Sequence, residues 1–198
     1  MTTITTAFAD AVHDSQTCFR RLLTAMAEPG THVELDRAGA FGALNAGSVQ
    51  VLLTLADHHT RLWLSPSLSA DQVVLDNLRF HVGAPLMEEP GKADFAVLAQ
   101  QDSDACEAVL TSLPAGTEEY PDQGATLVVE TDSLDGGVEA VLSGPGIADK
   151  RSVFLGSLPP ALVRWLGERE LRSPLGVDLI FVCERELIAI PRSTRVEV

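Results

Sequence analysis

Asp178 is the residue in this chain best placed to do chemistry, because it interrupts the apolar run from Val177 to Cys183, where a carboxylate needs a partner or a function. On a strand, such an aspartate can pair with the pyridinium nitrogen of pyridoxal phosphate, and a later lysine then forms the Schiff base. The lysines are Lys92 and Lys150, and both lie upstream, so that chemistry lacks its nucleophile. The preferred reading is structural: Asp178 lies near the start of a strand, bonded to a backbone N–H or to an arginine such as Arg192.

The other candidates are scattered. The five histidines are His13, His32, His58, His59 and His81, and the adjacent pair His58 and His59 would point apart on a helix or a strand, which disfavours a metal site. His81 closes a helix that contains Arg79, where an imidazolium complements the C-terminal dipole; a ligand role is left open. Arg20, Arg79 and Arg192 are the arginines that could meet a small phosphorylated ligand. The sequence has no Walker A loop, HExxH, GxSxG or paired carboxylates of the catalytic kind. Gly144-Pro145-Gly146 follows an expected strand but lacks the third glycine of a phosphate loop, so it reads as a structural turn.

These residues sit on elements that the apolar spacing predicts. Phe19, Leu22, Leu23 and Met26 recur at helical intervals from about Asp14 to Ala27, flanked by Arg20 and Arg21 and stopped by Glu28-Pro29-Gly30. Thr31 to Leu35 is expected as a strand, Ser48 to Ala56 as a buried helix and Arg61 to Leu64 as an inner strand. Ser69 and Gln72 have the spacing of a capping box for a helix running to His81 and ended by Gly83 and Pro85. Phe95 to Ala99 then reads as a strand, Asp104 to Ser112 as a helix and Pro114 to Gln123 as a solvated acidic loop.

Further strands are expected at Thr126 to Thr131, Val138 to Ser143, Val177 to Cys183 and Leu187 to Ile190, with one helix after Pro159 and Pro160. Helices early and strands late imply one domain, residues 1–198, built as a three-layer α/β/α sandwich around a central mixed sheet.

Composition narrows the function. At 198 residues, with 45% apolar and 21% charged residues, the chain suits a globular domain able to bury about 70% of its unfolded surface. A net charge of -14 would repel a polyphosphate backbone, which argues against nucleic acid as a partner. Cys18, Cys106 and Cys183 are far apart, odd in number and without zinc-ligand spacing, as expected in a reducing compartment. Met1 to Asp10 has neither a basic n-region nor an apolar h-region, and no apolar run approaches the ~20 residues of a membrane span, so a cytoplasmic protein is expected.

Several stretches, taken together, resemble one family. They include Phe19-Arg20-Arg21-Leu22-Leu23, Ala25-Met26, Glu28-Pro29-Gly30, the run Val51 to Asp57, Trp63-Leu64-Ser65 and Leu78-Arg79-Phe80-His81 followed by Ala84-Pro85-Leu86. Gly124-Ala125-Thr126-Leu127, Leu142 to Ile147, Pro174 to Leu179, Ile190-Pro191-Arg192 and Val196-Glu197-Val198 complete the set. Their order and spacing resemble the H subunit of the carbon–phosphorus lyase core complex, which breaks down phosphonates.

That resemblance implies a fold similar to the large domain of pyridoxal phosphate transferases, without the cofactor, and it carries over no catalytic residue. It implies sister subunits G, I and J as partners, and a homodimer when the chain is isolated. The assembly exchanges an alkylphosphonate for the base of a purine nucleoside triphosphate, giving a ribose 1-phosphonate 5-triphosphate. Radical cleavage at an iron–sulfur cluster belongs to the J subunit, and the cysteines here lack the spacing it needs. Two readings follow: a non-catalytic interaction subunit, or an enzyme or binding protein that uses Arg20, Arg79 or Arg192 on a phosphorylated substrate. Cofactor and metal are expected in neither.

Overall fold

The computed structural model describes residues 4–168 and 173–198. The first helix, α1 (Ala11–Ala27), begins three residues before the expected Asp14, because the Asp10 carboxylate caps it by accepting from the Val12 and His13 N–H groups at 3.2 and 3.1 Å. It buries Cys18, Leu22 and Ala25, while Phe19 and Leu23 face outward. The helix therefore carries two apolar stripes, and spacing alone does not say which one meets the core.

After the short strand β1 (Val33–Glu34) comes α2 (Ala46–Leu55), whose residues 46–52 are all buried, as an all-round apolar sequence requires. Strand β2 (Leu62–Leu64) leads to a short helix α3 (Pro66–Ala70) and then α4 (Gln72–His81). The cap of α4 is Asp71, not the expected Ser69: its carboxylate accepts from the Val73 and Val74 N–H groups, whereas Ser69 Oγ turns back to donate to Pro66 O. A carboxylate at a helix N-terminus gains from the dipole as well as the hydrogen bonds, and this favours the aspartate.

Strand β3 (Phe95–Leu98), a 3-10 turn over Gln100–Ala105 and α5 (Cys106–Ser112) follow, then β4 (Thr126–Glu130), β5 (Glu139–Ser143), β6 (Arg151–Phe154) and α6 (Pro160–Glu168). The chain ends with β7 (Asp178–Cys183), β8 (Glu186–Ile190) and β9 (Arg195–Glu197). The main sheet has the order β1-β8-β7-β4-β3-β2, with β2, β3, β4 and β7 parallel and β8 and β1 joined antiparallel. It is the expected mixed sheet in a three-layer α/β/α arrangement.

Alternation along the strands builds two cores. Val97, Val128, Ile180 and Val182 face α1, α2 and α4, while Leu98, Leu127, Val129 and Phe181 face α5, α6 and a second sheet. That second sheet, β6-β5-β9, is antiparallel and takes the expected strand Val138 to Ser143 out of the main sheet. Neither β6 nor β9 is foreseen by the pattern, because each buries a single side chain, Val153 or Val196, between exposed or half-buried neighbours.

Candidate functional site

In open α/β sheets, ligands settle beyond the carboxyl ends of the parallel strands, at the point where the connections diverge. Here the chain leaves β2 through α3 and α4 to a parallel bridge, Leu62 with Leu86, outside β2, whereas it leaves β3 toward β4. The crevice therefore falls between β2 and β3, and its polar groups bond to one another. Ser67 donates from N–H and Oγ to Asp102 Oδ2 at 3.0 and 2.6 Å, Gln101 Nε2 donates to Ser67 Oγ at 2.8 Å, and the Ala99 N–H donates to Ser65 Oγ. Burial works against the charge on Asp102, but the hydrogen bonds of Ser65 and Ser67 outweigh it and hold the carboxyl below its ordinary range.

The end of β4 is closed in the same manner. Glu130 is 5% exposed, and its Oε1 accepts from the Asn45 N–H at 2.8 Å and Ser48 Oγ at 2.7 Å. It holds the residue before α2 and the first turn of that helix, where the Gly47 N–H donates to Glu184 O at 2.6 Å and the Asn45 side chain makes no cap. Burial pushes the Glu130 carboxyl up, against the two hydrogen bonds. Next to it, Thr131 Oγ1 donates to Leu155 O at 2.8 Å, and Asp132 accepts from the N–H and Oγ of Ser157, both at 2.7 Å. These groups fasten the loops above the sheet.

Asp178 and Arg192 lie at the opposite end of the strands, where β7 begins. Arg192 Nε donates to both carboxylate oxygens at 3.2 and 3.1 Å, Nη2 donates to Oδ2 at 2.6 Å, and the Arg192 N–H adds a bond to Oδ1 at 2.8 Å. Nη1 reaches Pro121 O at 2.7 Å. A side chain on Gly124 would collide with this guanidinium, and one on Gly176 would crowd the Arg192 stem. Gly124 and Gly176 thus join Asp178 and Arg192 in one junction, and Asp178 bonds to both the backbone N–H and the guanidinium of Arg192.

His81 lies in the last turn of α4, as expected, and makes a further contact. Its Nε2–H donates to Thr5 O at 2.9 Å and its ring stacks on Phe41 with centroids 5.4 Å apart, so it also holds the N-terminal segment. Beside it lies a groove of about 450 Å³ lined by Ala7, Ser15 and Leu53 among others. Arg79 is exposed and lies 3.9 Å from Asp76. Arg20 stands on the exposed face of α1. Of the five candidates, only Asp178 and Arg192 bond to one another among the described residues.

One smaller expectation changes, and the turn expected at Gly144-Pro145-Gly146 is found. The His58 and His59 rings lie 3.9 Å apart, because the pair occupies a turn rather than a helix or strand. Gly144-Pro145-Gly146 is a close-approach turn: a side chain on Gly146 would strike the Ala27 carbonyl at the end of α1. Arg151 completes that contact, with Nη1 donating to Glu28 O, Pro29 O and Thr31 Oγ1 at 3.1, 2.9 and 2.6 Å. Lys92 and Lys150 are exposed and paired with Glu89 and Glu197 at 3.0 and 2.9 Å. Among the described residues, no three His, Cys, Asp or Glu side chains are grouped to hold a metal ion, and no helix is long and apolar enough to cross a membrane.

Sequence reasoning missed Glu130 and Asn77. The first lies inside the expected strand Thr126 to Thr131, where its carboxylate was not weighed as a buried group; the second, which accepts from the Thr5 N–H at 2.7 Å, reads as a polar position on an amphipathic helix.

Fold and site together define a three-layer α/β/α protein whose polar groups chiefly fasten its own loops, beside an exposed apolar helix face. Residues 6–197 match the family of the bacterial phosphonate metabolism protein (PhnH), and the chain belongs to that family. It is 35% identical over 193 residues, 96% of this chain and 94% of the relative, to the alpha-D-ribose 1-methylphosphonate 5-triphosphate synthase subunit PhnH of Rhizobium meliloti (strain 1021). It is also 35% identical over 184 residues, 91% of this chain and 85% of the relative, to the "Putative C-P lyase subunit protein HtxG" of Stutzerimonas stutzeri.

Proposed function

We propose that the chain is a non-catalytic interaction subunit of a cytoplasmic carbon–phosphorus lyase core complex, with the G, I and J subunits as partners. The assembly transfers an alkylphosphonate onto the ribose of a purine nucleoside triphosphate, giving ribose 1-phosphonate 5-triphosphate. The observation that carries this reading is the outer face of α1, where Val12, Phe19 and Leu23 are 75%, 47% and 56% exposed on a helix whose other stripe already fills the core. Exposed apolar side chains in a row on a regular helix suit burial against another protein. In isolation, a second copy covers the same face, giving a homodimer.

Co-purification tests the proposal. Phe19→Glu with Leu23→Glu should leave the fold intact, judged by circular dichroism, yet lose the sister subunits in a pull-down; retention of all of them overturns the assigned face. Arg20→Ala, Arg79→Ala, His81→Ala and Asp178→Asn should lower phosphonate-dependent growth only as far as they lower stability or complex recovery. A variant of this set that assembles normally but loses nucleotide exchange by orders of magnitude shows a catalytic group and overturns the non-catalytic reading.

A further inference from the structure

Strand β2 forms one margin of the main sheet, and its outer side is paired for only part of its length. Toward β3, Arg61 O accepts from the Phe95 N–H and the Ser65 N–H donates to Val97 O. Main-chain groups of successive strand residues point to alternate sides, so Leu62 and Leu64 present theirs outward. Leu62 is satisfied, donating to Pro85 O at 2.9 Å and accepting from the Met87 N–H at 2.8 Å. The pairing stretch then bends at Glu88, and among the described residues neither the N–H nor the C=O of Leu64 has a hydrogen-bond partner. Leu64 is 5% exposed, and a main-chain pair so deeply buried ordinarily meets a partner.

Beside Leu64 opens a groove of about 510 Å³ whose other apolar walls are Trp63, Leu75, Leu86 and Met87. Glu88 also lines it, exposed and without an ion pair among the described residues. An occupant that satisfies this groove brings a donor and an acceptor at main-chain spacing, an apolar body and a positive charge. An extended peptide supplies the first two from its own backbone, as in strand addition to a sheet, and the rest from its side chains. The net charge of -14 on the whole chain favours the same basic partner.

We propose that this groove receives an extended segment of a partner subunit, an apolar side chain flanked by lysine or arginine, whose main chain bonds to Leu64 and continues the pairing begun by Leu86 and Met87. The proposal rests on the interaction-subunit reading above and gives it a second surface, at the margin of the sheet opposite β8 and β1, against which α1 packs. The opening is one residue long, so it fixes the register of a peptide that side chains anchor and is too short to template growth of the sheet.

Hydrogen exchange read residue by residue tests it, with the full chain alone and co-purified with its sister subunits. In the isolated chain the Leu64 amide should exchange faster than the bonded amides of Leu62 and Ser65, and on assembly it should slow roughly tenfold or more. Glu88→Lys, which reverses the charge in the groove, and Ser69→Trp, which fills it from the exposed side of α3, should each lower recovery of the complex severalfold while circular dichroism stays unchanged. A complex that forms with Leu64 exchange unaltered, or that both variants leave at full recovery, overturns the groove and leaves the interaction reading standing. Protection of Leu64 that grows with the concentration of the isolated chain makes a second copy the occupant and overturns the partner assignment. Failure of the natural chain to co-purify with any sister subunit overturns both.

Discussion

Asp178 and Arg192 share a bidentate pair that is nearly withdrawn from water, their side chains 14% and 17% exposed. Removing the carboxylate charge with Asp178→Asn leaves a guanidinium without its counter-ion, and the loss expected in a denaturant titration is about 3 kcal/mol. Arg192→Lys should not rescue the site, since an ammonium cannot span both carboxylate oxygens and the Pro121 carbonyl together. Glu130 behaves in the opposite sense. Its folded carboxyl titrates above the ordinary glutamate range, chiefly from burial, so the folded state binds this proton more readily than the unfolded state does. Stability from this group is therefore present below the unfolded value and is lost as pH rises through the folded one. Glu130→Gln should gain stability relative to the natural chain as pH climbs above that range, read as a widening difference in Tm between the two proteins. A difference that stays constant with pH rules out this ionisation cost.

At the scale of elements, helix caps give the sharpest contrast. Asp71→Ala should destabilise α4 by about 1 kcal/mol or more, because the carboxylate also accepts from the Ala43 N–H at 2.9 Å, whereas Ser69→Ala should change stability by less than about 0.5 kcal/mol. The reverse order in thermal melts would restore the capping box read from sequence. Gly146→Ala should cost at least about 1 kcal/mol, from its positive φ of 82° and its collision with the Ala27 carbonyl. The central strands were legible because parallel strands covered on both faces are apolar throughout, as in Leu127-Val128-Val129 and Leu179 to Val182. Strands β6 and β9 were not, because an edge strand that buries one residue in three or four leaves no periodic trace. The site was legible in part. The Asp178–Arg192 pair follows from the rule that buried charge seeks opposite charge, but the Thr5–His81 bond joins positions 76 apart that no local pattern connects.

At the scale of the molecule, deleting the gene should abolish growth on methylphosphonate as sole phosphorus source and leave growth on phosphate normal. Pyridoxal phosphate should give no visible-range aldimine band with the purified chain, since Lys92 and Lys150 sit exposed in ion pairs with Glu89 and Glu197, and Asp178 is paired with Arg192. A band fixed by borohydride and absent in Lys150→Ala would contradict this. The margins of the main sheet bear on how copies associate. One margin is the two-residue β1, and at the other Leu62 exchanges hydrogen bonds with the neighbouring stretch, from its N–H to Pro85 O and from its O to the Met87 N–H. Neither offers a long free ladder to template a further strand from another chain. Growth by end-to-end polymerisation is thus discouraged, and concentrated solutions should hold closed particles of fixed size rather than fibrils, with light scattering that reaches a plateau instead of climbing.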